Sequence, residues 1–289
     1  MELFRTIVAG QHRYVFYGGA KGGGKSKGSR DILITLLSAN PGTNGLLLRR
    51  TFKQLAGNHI RPMWREHPAL RDYFKKAENI LEIPNGSNLV FGHAEHEDDI
   101  FQYAGQEFEW IAIEEMTQFT EFMFDILITS NRTSLSGIKP VTWGTGNPGG
   151  VGHLFVKRRW VDRAFEEMED PKDYYFIQAR VWDNAALLKA DPKYVKVLQS
   201  IKDPMIKKAF LNGDWDIFPG QFFVGFIKSK IETASFFIPF TWPTWCSMDY
   251  GENKPTSCGI YTQNPETAMI FRVCGYYQAD RACSQHIEA

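Results

Sequence analysis

Residues 19–26 read Gly-Ala-Lys-Gly-Gly-Gly-Lys-Ser, an ungapped GxxxxGK[ST] pattern. No other stretch limits the fold so narrowly. Glycines let the backbone curl until several N–H groups point inward at phosphate oxygens. A helix opening at the end of such a loop adds its positive end. Lys25 then reaches the β- and γ-phosphates of a nucleotide, and the Ser26 hydroxyl ligates Mg²⁺. The alternative is a flexible glycine-rich turn, and the pattern arises by chance in roughly one chain of this length in a hundred. The context favours the phosphate loop. An apolar run, Tyr14 to Tyr17, precedes it, and Lys25 to Ala39 follows as a helix with Ile32, Leu33, Leu36 and Leu37 on one stripe. Gly19, Gly22, Gly23, Gly24, Lys25 and Ser26 are therefore the expected ATP-binding residues, with Ser26 also a metal ligand.

The first half continues as short apolar runs separated by helix-length segments. Leu46 to Leu48 and Trp110 to Ile113 read as buried strands, and Val141 to Thr145 as another. Ile80 to Ile83 and Leu89 to Phe91, joined by Pro84-Asn85-Gly86-Ser87, read as a hairpin. Thr51 to about Leu70 reads as helical, broken near Pro62. This alternation predicts an α/β fold, a P-loop NTPase with a mostly parallel sheet flanked by helices. Ligands in such sheets bind beyond the carboxyl ends of the strands. After about residue 152 the pattern becomes more helical, over Leu154 to Phe165, Pro192 to Ile201 and Pro204 to Leu211. Gly213 to Gly220 reads as a boundary. Beyond it, Trp245 to Tyr250 reads as a strand, and Cys258 to Gln263 with Met269 to Tyr277 as a hairpin around Asn264-Pro265.

The polar groups at the predicted strand ends carry the chemistry. Trp110 to Ile113 runs straight into Glu114-Glu115, about 90 residues after the phosphate loop. Beside a nucleotide, the first acid organises the Mg²⁺ shell and the second activates water. Neighbouring strand residues point to opposite sides, but at a frayed end both can face one cleft. Two acids favour hydrolysis over nucleotide storage, although acids are common wherever a strand enters a solvated loop. Thr145-Gly146-Asn147-Pro148 ends the next strand, where Thr145 and Asn147 can hydrogen-bond the γ-phosphate or the attacking water. Asn-Pro and Gly-Gly are also ordinary turn dipeptides. A rate-enhancing cation is expected near the γ-phosphate. Lys21, Arg49, Arg50 and Arg132 are the candidates, and spacing does not choose among them. Gln11, before the first strand, could bind an adenine edge or simply be exposed.

Composition narrows the function classes less than these motifs do. Lys and Arg total 33, as do Asp and Glu, so the formal net charge is zero. Any nucleic-acid contact must then come from local patches such as Lys157-Arg158-Arg159 or Lys207-Lys208. The 4 cysteines stand at 246, 258, 274 and 283 without CxxC spacing, which argues against zinc. With no signal or transit peptide pattern at the N-terminus, they read as reduced thiols, mostly small core hydrophobes. No apolar run is long enough for a transmembrane helix, and no membrane partner is expected.

Taken in order, these features resemble the large terminase subunits of tailed bacteriophages. The resemblance runs through Tyr17 to Ser26, Leu48-Arg49-Arg50-Thr51-Phe52, Gly105 to Glu115, Thr145-Gly146-Asn147-Pro148 and Phe210-Leu211-Asn212-Gly213-Asp214-Trp215, about residues 11 to 216. Two positions depart from the family pattern: Glu114 stands where aspartate is usual, and Lys21 where many relatives carry an arginine. The resemblance implies an ATP-driven motor that moves double-stranded viral DNA into a procapsid. It assigns the P-loop ATPase domain to residues 1–160, a small helical linker subdomain packed on it to 161–218, and the start of an RNase H-like nuclease domain to 219–289. Met248-Asp249-Tyr250-Gly251 resembles that domain's first strand, which makes Asp249 a ligand of Mg²⁺ or Mn²⁺ at a two-metal site. The further acids at hand are Glu252, Asp280 and Glu288, and such a partial domain is expected to cut DNA poorly. The resemblance also implies a homo-oligomeric ring, a portal protein and a small terminase subunit as partners, in the host cytoplasm and transiently at the procapsid portal. Two rival functions share the site residues: a helicase-like or repair ATPase, and a nucleotide-binding regulatory protein without turnover.

Overall fold

The structure is a computed structural model that describes residues 2–216, 231–250 and 256–278. The chain divides into two compact units, Met1–Ile227 and Lys228–Ala289.

The first unit is built on one mixed sheet. Its strands are β1 (Tyr14–Gly19), β2 (Asn44–Arg49), β3 (Phe74–Lys75), β4 (Ile80–Glu82), β5 (Asn88–His93), β6 (Trp110–Ile113), β7 (Val141–Gly146) and β8 (Tyr174–Ala179). They lie in the order β3-β4-β5-β2-β6-β7-β1-β8. From β5 to β8 every neighbouring pair is parallel, and β3 and β4 add an antiparallel edge. Alternate residues of the central strands face opposite layers, as strand geometry requires. Val15, Leu47, Trp110, Ala112 and Trp143 pack under α2 (Lys25–Ala39) and α1 (Glu2–Ala9). Phe16, Leu46, Leu48, Ile111 and Ile113 pack on the other face against Phe124, Phe155, Trp160 and Trp215. Each such side chain contributes about 1.5–3 kcal/mol by leaving water, so burial on both faces fixes the strand order. Among the described residues, no helix is long and apolar enough to cross a membrane.

The helix expected over Lys25 to Ala39 has those bounds, and Asn40 closes it by donating its backbone N–H and its side-chain amide to the Leu36 carbonyl. The helix expected from Thr51 to Leu70 is built differently. Thr51 caps α3 (Phe52–Leu55), which widens into a π turn (Ala56–Ile60) and tightens again into α4 (Arg61–Glu66). Pro62 explains part of this, since it has no N–H to give the Asn58 carbonyl. Arg30 Nη1 donates to that carbonyl instead, at 2.9 Å.

The stretch after residue 160 departs most from expectation. Residues 161–218 are not purely helical: β8 pairs in parallel with the whole of β1, from Tyr14↔Tyr174 to Gly19↔Ala179, and so completes the sheet that carries the phosphate loop. The helical part follows as α7 (Ala185–Ala190), α8 (Tyr194–Gln199) and α9 (Pro204–Lys207), the last running into a π turn (Lys208–Asn212). In the segment expected as one helix from Leu154, α6 (His153–Val156) likewise gives way to a π turn (Lys157–Val161).

In the second unit, β9 (Thr244–Asp249), β10 (Thr256–Gln263) and β11 (Ile270–Gln278) form an antiparallel sheet in the order β11-β10-β9. Asn264 makes the hairpin turn by accepting the N–H groups of Glu266 and Thr267. The cysteines among the described residues are not core residues. Cys246 and Cys274 are exposed and Cys258 is half-buried, while Cys283 lies outside the described residues.

Candidate nucleotide site

β1, β7 and β6 are consecutive in the sheet, so their carboxyl ends form one continuous edge. Strands about 4.8 Å apart put the ends of β1 and β6 roughly 10 Å from each other. The phosphate loop, the Thr145-Gly146-Asn147 segment and the acid pair thus meet although more than a hundred residues separate their extremes.

The loop after β1 has the curled backbone that its glycines allow. Gly19 has φ of 137°, and a Cβ there would lie 2.5 Å from the Ala179 carbonyl oxygen; Gly24, at φ 77°, begins α2. Its carbonyls are held by protein donors: Gly19 by Asn147 Nδ2 at 2.5 Å, Gly22 by Asn184 Nδ2 at 2.7 Å and Gly23 by the Tyr17 hydroxyl at 2.8 Å. Turning these oxygens into the protein leaves the N–H groups from Gly22 onward for the concave side. Two more bonds fix the loop from outside, Ala20 N to Ala179 O at 2.9 Å and Lys21 N to Phe210 O at 2.8 Å. Lys25 Nζ donates to Ala20 O at 2.6 Å. Burial lowers the Lys25 pKa, and the carboxylates of Glu115 and Glu114 counter it.

The acid pair divides its duties by backbone geometry. Glu114 N still donates to Leu48 O at 2.9 Å, so the ladder runs one residue past β6. Glu115 then adopts φ 54°, ψ 52°. A left-handed non-glycine residue is uncommon and such backbone strain concentrates at functional sites; here Glu115 lines the cleft beside the phosphate loop while Glu114 stays buried beneath it. The Ser26 hydroxyl donates to Glu114 Oε2 at 2.9 Å, and His59 Nε2 is 3.5 Å from the same oxygen. Burial would raise the Glu114 pKa, but His59 and the hydroxyls of Ser29 and Ser26 outweigh it and hold the carboxyl at about 2. Its other oxygen, Oε1, is buried without a hydrogen-bond partner among the described residues. An unpaired buried carboxylate oxygen beside a serine hydroxyl is a donor set that fits Mg²⁺.

Glu115 lines a cleft of about 370 Å³ with Lys21, Lys25, Ser26, Asn147, Asn184 and Tyr194. A second cavity of about 460 Å³ adjoins it, lined by Phe4, Tyr17, Gly23, Gly24, Ile32, Asp183 and Asn184 among others. Thr145 Oγ1 faces Glu115 N at 3.5 Å, and the Asn147 carbonyl accepts from Thr117 Oγ1 at 3.1 Å. With its amide on Gly19, Asn147 therefore bridges the phosphate loop and the acidic loop.

Of the candidate cations, Arg49 and Lys21 reach the site. Arg49 Nη1 is 4.0 Å from Glu115 Oε1, and both cations line the space beside Glu115 and Asn147. Arg50 is occupied by Met123 Sδ and the Phe119 ring, and Arg132 holds the Gly105 carbonyl. Gln11 is not brought in. It is exposed and precedes β1, whose length carries the chain roughly 20 Å to the phosphate loop. Asp249, at the end of β9, is exposed and belongs to no group of metal-ligating side chains among the described residues. Glu252, Asp280 and Glu288 lie outside those residues. The one such group among the described residues, Asp31 with Glu66 and His67, is already engaged by Lys27 and Arg30. Sequence reasoning missed His59, Ser29 and Asn184. Only Asn184 had a local signal, as the cap of α7 that accepts Leu187 N.

A loop of this shape, ending a parallel strand and meeting an acidic strand end two positions away, defines a P-loop NTPase fold. The family described as phage terminase large subunit matches residues 11–213, and the chain belongs to that family. Among solved structures, the large terminase of a thermophilic bacteriophage is similar at 16% identity. One crystal form gives a TM-score of 0.58 and covers 96% of this chain and 67% of that one. Its complex with ADP gives 0.56 with 97% and 68% covered, and its complex with ATP-gamma-S 0.55 with the same coverage. At that identity the likeness speaks for the fold. No curated protein matches.

Proposed function

We propose that this chain hydrolyses ATP at the β1–β7–β6 edge and uses the energy to move double-stranded viral DNA into a procapsid. The observation that carries the hydrolytic part is the joined pair, Ser26 bound to Glu114 with Glu115 lining the same cleft as Lys25. The triphosphate would lie in the loop with Lys25 leaving Ala20 O for the β- and γ-phosphates, and the nucleoside would extend into the adjoining cavity beside Tyr17 and Phe4. Ser26 and Glu114 would hold Mg²⁺, which when bound neutralises charge on the phosphate oxygens. Glu115 orients the attacking water and takes its proton. Arg49, or Lys21, supplies the cation that offsets charge developing on the γ-phosphoryl group. Thr145 and Asn147 couple phosphate release to movement, because the strand end that bears them is bonded to both loops.

Family membership supports the wider reading. Residues 1–160 would form the ATPase domain, 161–218 a linker subdomain that shares β8 with its sheet, and 219–289 would belong to a nuclease domain. Asp249 would there be the first ligand for Mg²⁺ or Mn²⁺, and cutting would need acids beyond it. The working form would be a ring docked at the portal in the host cytoplasm, supplied with DNA by a small terminase subunit. The test is ATP turnover by the purified chain with and without linear duplex, together with a strand-separation assay. Stimulation by duplex without strand separation supports a packaging motor. Turnover coupled to unwinding would replace it with a helicase-like ATPase.

A further inference from the structure

His59 makes a contact that no motif accounts for. It sits on the π turn Ala56–Ile60, and π turns within α-helices are frequent at functional sites. The turn carries the His59 ring to the end of β6. His59 is 0% exposed, as buried as any residue of the core. Its Nε2 is 3.5 Å from Glu114 Oε2, an ion-pair distance, and neither ring nitrogen makes a hydrogen bond with any described group. Burying an imidazole without a partner is unfavourable, so the site it occupies is explained by the carboxylate and not by packing. The same short segment begins at Arg49, 4.0 Å from Glu115. Residues 49–59 therefore touch both members of the acid pair.

We propose that His59 is a positioning residue for the metal-organising carboxylate. It faces Glu114 Oε2, the oxygen shared with Ser26, and leaves Oε1 as the unpaired oxygen for a metal shell. Outer-shell partners of this kind fix ligand orientation, and their loss lowers metal affinity about 10–100-fold. This role rests on the assignment of Ser26 and Glu114 to Mg·ATP, and its test separates the two. A purely structural histidine would support the fold alone, and its loss would weaken every form of nucleotide binding alike.

The experiment compares wild type, His59→Leu and His59→Gln by equilibrium binding of a fluorescent ATP analogue, in Mg²⁺ and in EDTA, with thermal melting alongside. His59→Leu keeps bulk without a donor; His59→Gln keeps a donor at a similar reach. The expected result is about a tenfold or greater loss of affinity in Mg²⁺ for His59→Leu, no change in EDTA, and recovery to within about threefold in His59→Gln. Equal losses in both buffers, or no loss in either, would overturn the role. Where His59→Leu does not fold, His59→Asn carries the test. Its shorter amide should lose the Mg²⁺-dependent increment that His59→Gln keeps, and equal behaviour of the two would overturn the role. A wild-type chain that binds ATP no better with Mg²⁺ than without it would remove the Mg·ATP assignment itself, and the role of His59 with it.

Discussion

The Ser26 hydroxyl donates to Glu114 Oε2 at 2.9 Å, joining the phosphate loop of β1 to the acidic end of β6 across β7. Because this bond uses one carboxylate oxygen and leaves the other unpaired, the two side chains are organised toward a metal before nucleotide arrives. Ser26→Ala is expected to weaken ATP binding by about tenfold or more in Mg²⁺ while leaving binding in EDTA unchanged. Titration calorimetry in the two buffers distinguishes this from a general loss of the loop.

Arg49 is the stronger of the two cation candidates, since it alone makes a charge contact with Glu115. Arg49→Ala should lower kcat by about 10³-fold with nucleotide affinity retained, the range found for cations that act on a transferring phosphoryl group. Lys21 stacks over the Phe210 ring at 3.8 Å, so Lys21→Ala should cost less. Steady-state kinetics of both variants decide it: a larger loss in Lys21→Ala would reverse the assignment.

Gly213 reaches the site from the end of the π turn after α9. It has φ 67°, and a Cβ would lie 2.7 Å from both Ala20 N and Gly19 Cα. Gly213→Ala must then displace the phosphate loop or leave the left-handed region. A melting temperature lower by several degrees is expected, reflecting about 1–3 kcal/mol of strain, together with weaker ATP binding. Unchanged binding would mean that the loop moves freely of its support.

His153 supplies a pH dependence. Its Nδ1 accepts the Gly149 N–H at 3.0 Å, which requires that nitrogen unprotonated, and burial lowers its pKa to about 4. With the folded pKa below the ordinary value near 6.5, the unfolded chain takes up the proton first. The contribution to stability is therefore complete above pH 6.5 and is lost as pH falls toward 4. Thermal melting across that window should show a steeper acid-side decline in wild type than in His153→Gln. Parallel curves would exclude His153 as the cause.

Much of the nucleotide edge was legible because local pattern and function coincide there. The glycines of residues 19–24 specify a curl, Leu46 to Leu48 and Trp110 to Ile113 specify buried strands, and the polar residues after them mark ligand ends. What was not legible depends on distance in the chain. β8 has an irregular burial pattern, with Tyr175 and Phe176 half-buried and Gln178 exposed, because it is an edge strand, and its place beside β1 follows only from the closed sheet. His59 carries no periodic signal, as a helical histidine is ordinary until a π turn carries it against Glu114. Gln11 is exposed ahead of β1, the second of the two alternatives that its sequence position left open.

The central claim is that Lys25 binds the triphosphate while Glu115 turns it over. The most direct measurement is a paired assay of ATP binding and single-turnover hydrolysis in wild type, Lys25→Ala and Glu115→Gln. Lys25→Ala should lose binding and turnover together. Glu115→Gln should bind ATP at least as tightly as wild type and hydrolyse it about 10²–10⁴-fold more slowly, the range for loss of a general base. Hydrolysis by Glu115→Gln at the wild-type rate, or binding by Lys25→Ala at wild-type affinity, would contradict the account.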